Sequence, residues 1–136
     1  MSYFQVQSVN AKRMNVLIVE DDMINAFIFQ KYLAADYNVY LADNSDKLWG
    51  ILQQTTIDLI LMDINLDSSD ENGIELLQKL RKNYPSQQFK AIALTAFTEE
   101  DCEKICKEAN FNAFCRKPLT KEKLLGVIES TLKRSS

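Results

Sequence analysis

Short runs of consecutive apolar residues alternate along the chain with longer stretches in which apolar residues recur every three or four positions. The runs fall at 15–19 (NVLIV), 38–42 (NVYLA), 57–62 (IDLILM), 90–95 (KAIALT) and 112–116 (NAFCR). A run that stays apolar at successive positions suits a strand covered on both faces, whereas the three-and-four spacing marks one face of a helix. Helices are predicted near 22–35, where Ile24, Phe27, Ile28 and Leu33 form a stripe, near 45–54 on Leu48, Ile51 and Leu52, and near 73–83 on Ile74, Leu77 and Leu80. Pro85 ends the third, and Thr98 and Thr120 are suited to cap a fourth and a fifth. Five strands alternating with five helices predict a doubly wound α/β domain around a mostly parallel sheet. Residues 1–13 lack a sustained period and read as an N-terminal arm before one domain at 14–134.

In such sheets, ligands gather beyond the carboxyl ends of the strands. The first strand ends in Glu20, Asp21 and Asp22, the third in Asp63, the fourth in Thr95 and the fifth in Arg116, Lys117 and Pro118. Any one of these has an ordinary explanation as a polar loop residue or a helix cap. Together they form a pattern, because carboxylates brought side by side repel unless a cation joins them. Glu20, Asp21 and Asp63 against Lys117 leave a local charge of −2, which one divalent ion cancels. An all-oxygen set with few carboxylates suits Mg²⁺, with Mn²⁺ as a substitute. Beside such an ion Asp63 can attack phosphorus, and Lys117 and Thr95 can hold phosphoryl oxygens.

Composition narrows the chemistry further. The 136 residues contain no histidine, which removes imidazole catalysis, histidine metal ligands and a phosphohistidine formed on this chain. A net charge of −3 with interspersed signs argues against direct nucleic-acid binding. No apolar run reaches the length of a membrane span and the first residues lack the order of a secretory signal, so a cytoplasmic location is expected. Cys102, Cys106 and Cys115 read as reduced and buried, with Cys102 and Cys106 on one helix face. Trp49 reads as a partly buried packing residue, and Ile105, Phe111 and Phe114 as core or as an apolar patch for a partner or a homodimer.

The segments VLIVEDD, LILMD, ALTA and RKP, in this order and at these distances, resemble the receiver domain of two-component response regulators. The resemblance implies a flavodoxin-like five-stranded parallel sheet of order 2-1-3-4-5 with five helices. It implies that Asp63 takes a phosphoryl group from a histidine kinase or a histidine phosphotransfer protein, in a signalling domain that assists its own phosphorylation rather than a conventional enzyme. Glu20 and Asp21 would be the acidic pair, with Asp21 a direct Mg²⁺ ligand and the main-chain carbonyl of Asn65 another. Thr95 and Lys117 match the switch hydroxyl and the phosphate-binding lysine, Pro118 the often cis Lys-Pro bond, and Phe114 the aromatic switch position. The face of the fourth helix, fifth strand and fifth helix would then change on phosphorylation.

Three departures stand out. The loop after Asp63 is slightly long before Gly73 and carries Asp67, Asp70 and Glu71; Phe114 replaces the usual tyrosine; and Phe97, two after Thr95, is a large apolar group expected to slow self-dephosphorylation. Little chain follows Arg134, so no output domain is expected there, leaving open a stand-alone regulator or a receiver from a hybrid kinase. Two alternatives compete. A haloacid dehalogenase-like phosphatase also uses an Asp nucleophile, but on its first strand with a second acid two residues on, where this chain has Asn65. A degenerate receiver would serve only as a docking module.

Overall fold

The computed structural model describes residues 4–5, 13–64, 73–84, 89–96 and 98–133. After a short strand β1 (Phe4–Gln5) the order is β2 (Asn15–Val19), α1 (Met23–Leu33), β3 (Asn38–Ala42), α2 (Ser45–Gln54), β4 (Leu59–Asp63), α3 (Gly73–Asn83), β5 (Lys90–Thr95), α4 (Glu99–Ala109), β6 (Ala113–Arg116) and α5 (Lys121–Lys133). β2 to β6 form a parallel sheet of order β3-β2-β4-β5-β6, which is the expected 2-1-3-4-5 arrangement. β1 adds an antiparallel edge, with Phe4 opposite Leu41 and Gln5 opposite Tyr40.

Alternation along each strand feeds two cores. Leu17, Val19, Ile60, Met62, Ala91 and Ala93 face α2, α3 and α4 through Leu48, Ile51, Leu76, Leu77, Leu80 and Ala109. Val16, Ile18, Leu59, Leu61, Ile92 and Leu94 face α1 and α5 through Ala26, Phe29, Leu33, Leu124 and Ile128. Each large side chain buried this way contributes roughly 1.5–3 kcal/mol of transfer free energy. Trp49 is half-buried and stacks on Tyr84 at 6.0 Å. Phe111 is 7% exposed within the first core, and Ile105 and Phe114 pack against it, so the three do not make a free apolar patch.

Local chemistry sets the helix starts. Asp22, Asn44, Thr98 and Thr120 each accept a main-chain N–H from the first turn of α1, α2, α4 and α5. The foot of the sheet is tied by side chains: Asn38 donates to Asn15 Oδ1 at 2.9 Å, and Arg81 donates to the carbonyls of Phe89 and Asn110 and to Asn112 Oδ1.

One expectation is overturned in part. Of the stripe predicted on α1, Leu33 is buried, but Ile24 is 73% exposed, Phe27 41% and Ile28 40%, and the buried face is completed by Ala26 and Phe29. α1 is apolar on most of its circumference, so spacing alone cannot say which side the sheet covers.

Candidate functional site

The chain starts its parallel sheet in the middle, at β2, fills one side with β3, and crosses back to build the other side from β4 outward. Strand order therefore reverses between β2 and β4, and the helices that follow these two strands lie on opposite faces, opening a crevice at their carboxyl ends. Glu20 and Asp21 follow β2 directly, and Asp63 is the last residue of β4. Carboxylate oxygens of the three lie within 4.8 Å of one another.

Several main-chain bonds hold these groups. Glu20 N–H donates to Ala42 O at 3.1 Å, continuing the ladder with β3, and Ile64 N–H donates to Leu94 O at 3.2 Å, pinning the backbone after Asp63 to β5. On the far side Lys117 N–H donates to Thr95 O at 2.7 Å, and Lys117 Nζ reaches Asp63 Oδ2 at 3.1 Å. The Lys117-Pro118 peptide is cis. Thr95, fully buried, ends β5 one register step beyond the Asp63–Leu94 pair. Asp22, the third acid of its run, is spent on the α1 cap, accepting from Ile24 N–H at 2.9 Å and Asn25 N–H at 3.3 Å.

The electrostatics match a cation site. Glu20 is 1% exposed, and burial, followed by the hydrogen bond and charge of Asp63, raises its pKa from 4.5 to about 8. Lys117 and the N–H of Asp22 offset only part of that rise. Burial and the Asp63 charge thus disfavour the ionised form of Glu20, a cost that a cation between the carboxylates would relieve. Glu20 Oε2 accepts weakly from Asp22 N–H at 3.4 Å, while buried Oε1 has no hydrogen-bond donor among the described residues. An orphaned carboxylate oxygen in an all-oxygen cluster is the donor chemistry of a hard divalent ion such as Mg²⁺.

Of the residues singled out by sequence, Glu20, Asp21, Asp63 and Lys117 converge, with Thr95 beside them. Asn65, Phe97 and the acids Asp67, Asp70 and Glu71 lie outside the described residues, as does the side chain of Cys106. Phe114 stands apart on β6, half-buried, lining a groove of about 780 Å³ between α4 and α5 with Lys107, Glu122 and Val127. Two contributors were not anticipated. Gly73 packs on the Asp63 main chain, and the only sequence signal was a glycine where a helix begins. Cys102 hydrogen-bonds the Thr95 side chain, which no local pattern reveals.

Comparison with known proteins agrees with this geometry. The response regulator receiver domain family matches residues 16–129. A two-component response regulator of Arabidopsis thaliana is 30% identical over 123 residues, covering 88% of this chain and 84% of that protein. A cyclic di-GMP phosphodiesterase of Thermotoga maritima is 33% identical over 112 residues, and hybrid signal transduction histidine kinase M of Dictyostelium discoideum 32% over 120. These matches take in 82% and 84% of this chain but only 29% and 5% of the two relatives. Among solved structures, a CheY-like receiver domain protein from Methanospirillum hungatei superposes with a TM-score of 0.78 at 27% identity, over 90% of this chain and 96% of that one. A response regulator from Clostridium difficile, at 23% identity and a TM-score of 0.79 over 91% and 99% of the two chains, shares the fold. The chain belongs to the response regulator receiver domain family.

Proposed function

We propose that this chain is a phosphoacceptor switch in which Asp63 receives a phosphoryl group from the histidine of a histidine kinase or a histidine phosphotransfer protein. The observation that carries the reading is the meeting of Asp63 with a lysine ammonium at 3.1 Å on one side and two further carboxyls, one with an orphaned oxygen, on the other. The working domain spans 14–134, follows an arm at 1–13 and acts in the cytoplasm; no helix among the described residues is long and apolar enough to cross a membrane.

Glu20, Asp21, Asp63 and the main-chain carbonyl of Asn65 are the groups that would hold Mg²⁺. When bound, Mg²⁺ supplies positive charge that offsets the carboxylates and the phosphoryl oxygens. An Asp63 oxygen attacks phosphorus; the bond from phosphorus to the donor imidazole breaks, its electron pair stays on that nitrogen, and an acyl phosphate forms on Asp63. Lys117 exchanges its partner Asp63 Oδ2 for a phosphoryl oxygen, and the Thr95 hydroxyl takes another. The product carries roughly one more negative charge than the carboxylate. That charge favours a state in which Phe114 turns inward and the α4–β6–α5 face, with its groove, is reshaped for a downstream protein. A shift from 1:99 to 99:1 requires about 5.5 kcal/mol of preference for that state.

The donor's approach is constrained by burial. Asp63 is 4% exposed, and among the described residues the start of α1, just after Glu20 and Asp21, borders the crevice it stands in. Ile24, Phe27 and Ile28 are exposed on α1, the helix that starts beside the crevice, and would form the apolar ground on which the histidine-bearing protein rests. Since these 136 residues contain no histidine, the donor histidine lies outside them.

Phosphoramidate, whose P–N bond imitates phosphohistidine, tests the donor class. With Mg²⁺ it is expected to yield an acyl phosphate signal by ³¹P NMR on the parent and none on Asp63→Asn. A parent protein that takes no phosphoryl group under these conditions contradicts the proposal.

A further inference from the structure

Lys117, whose ammonium meets Asp63, stands in the short connection between β6 and α5. Lys123, in the first turn of α5, turns its side chain back over that connection. Its Nζ donates to Arg116 O at 2.6 Å and, more weakly, to Pro118 O at 3.5 Å, the two carbonyls that flank Lys117. The shorter contact is a charge-assisted bond, and an ammonium with three protons can serve two acceptors at once. Lys117 N–H donates in turn to Thr95 O at 2.7 Å, so the main chain around Lys117 is tied to β5 on one side and to α5 on the other. The base of the Lys123 side chain is itself fixed, because Lys123 N–H donates to Thr120 Oγ1 at 3.1 Å in the α5 cap. A cation in the first turn opposes the helix dipole, so the placement does nothing for α5 by itself.

We propose that Lys123 is a positioning residue that holds the backbone at Lys117, so that the Lys117 ammonium is aimed at Asp63 and at the phosphoryl group placed there. The proposal rests on the reading of Asp63 as phosphoacceptor. The bonds of Lys123 go to main-chain carbonyls, so its effect passes through Lys117. The 3.1 Å reach from Lys117 Nζ to Asp63 Oδ2 depends on where the Lys117 main chain is held. A misplacement of about 1 Å at a reacting centre is worth up to roughly a hundredfold in rate. Lys123 is exposed and water replaces part of what it supplies, so the expected loss is smaller, roughly three- to tenfold.

Two substitutions test the hold. Lys123→Met keeps the aliphatic stem and the α5 cap while removing the ammonium, and Lys123→Arg keeps a charged head with donors for both carbonyls. Phosphorylation by acetyl phosphate with Mg²⁺ should slow roughly three- to tenfold in Lys123→Met and return to within about twofold of the parent in Lys123→Arg. The methionine defect should persist in about 1 M salt, where charges are screened beyond roughly 3 Å and a long-range pull on the anionic donor is lost. A second readout needs no phosphate. Amide hydrogen exchange at Lys117, whose N–H is bonded to Thr95 O, should speed by roughly threefold or more in Lys123→Met and stay parent-like in Lys123→Arg. Exchange at Leu94 within β5 should not change, which a general loss of stability would not allow. A phosphorylated parent whose rate is unchanged in Lys123→Met, or whose methionine defect disappears in high salt, overturns the positioning role and leaves the Asp63 reading standing. If the parent takes no phosphoryl group, the Asp63 reading falls and the exchange result alone decides whether Lys123 holds Lys117, an unchanged Lys117 exchange rate in Lys123→Met overturning it.

Discussion

Gly73 lies so close to Asp63 that a Cβ on it would stand 2.6 Å from the Asp63 carbonyl oxygen and 2.7 Å from Ile64 Cα. No real side chain fits at those distances, and the atoms it would strike are main chain, which cannot swing aside. The start of α3 is thereby pressed against the end of β4, so the helix acts as a backstop for the proposed phosphoacceptor.

Gly73→Ala is therefore expected to shift Asp63 away from its crevice partners. A misplacement of about 1 Å is worth up to roughly a hundredfold in rate. The phosphorylation rate with acetyl phosphate should fall by about ten- to a hundredfold while far-UV circular dichroism stays native. A rate within twofold of the parent would show that the backstop is immaterial.

The raised Glu20 pKa gives a pH signature. Between 4.5 and about 8 the folded, metal-free protein holds a Glu20 proton that the unfolded chain has lost, so this group's contribution to stability is present below that window and is lost as pH rises through it. Glu20→Gln removes the titration. Chemical denaturation without Mg²⁺ should find the variant gaining on the parent, from pH 5 to pH 9, by on the order of a few kcal/mol. Parallel stability curves would contradict the assignment. The same proton opposes a cation, so Mg²⁺ affinity of the parent should rise with pH and level off above about 8.

The α1 face separates docking from chemistry. Replacing Ile24 and Phe27 by serine removes exposed apolar surface without touching the buried Ala26, Phe29 and Leu33. Phosphoryl transfer from a phosphorylated histidine phosphotransfer protein should slow by roughly tenfold or more, as expected when central interface side chains are truncated. Phosphorylation by acetyl phosphate should change far less. Equal effects on both donors would place the defect in the fold, not in docking.

Phe97, two residues after Thr95, carries the lifetime prediction made from sequence. Phe97→Asn replaces an apolar group with one able to orient water, and loss of the phosphoryl group should accelerate by roughly ten- to a hundredfold. Following decay of the phosphorylated form by mass spectrometry decides it, and an unchanged lifetime counts against Phe97 as the brake.

These predictions divide along the line of what local sequence can convey. The runs at 15–19, 38–42 and 90–95 became β2, β3 and β5 with the same bounds because two-sided burial leaves an unbroken apolar string. Thr98 and Thr120 announced α4 and α5 because capping is satisfied within one turn. Glu20, Asp21, Asp63 and Lys117 were legible because parallel strands deliver their carboxyl ends to one edge. The orientation of α1 was legible only at Leu33, since apolar residues around most of its circumference leave the choice of face to the sheet it meets. Gly73 against Asp63 and Cys102 against Thr95 are contacts between elements, invisible to spacing within either. The pairing of Phe4–Gln5 likewise requires an edge that only the folded β3 provides.

The central claim is that Asp63 is the phosphoacceptor of a cation-dependent site. Intact-mass spectrometry after incubation with Mg²⁺ and acetyl phosphate tests it most directly, run on the parent, on Asp63→Asn and on the parent with Mg²⁺ chelated. A single phosphoryl adduct on the parent with Mg²⁺, and none in the other two, is the predicted result. An adduct of equal yield on Asp63→Asn, or none on a parent that demonstrably binds Mg²⁺, would contradict it.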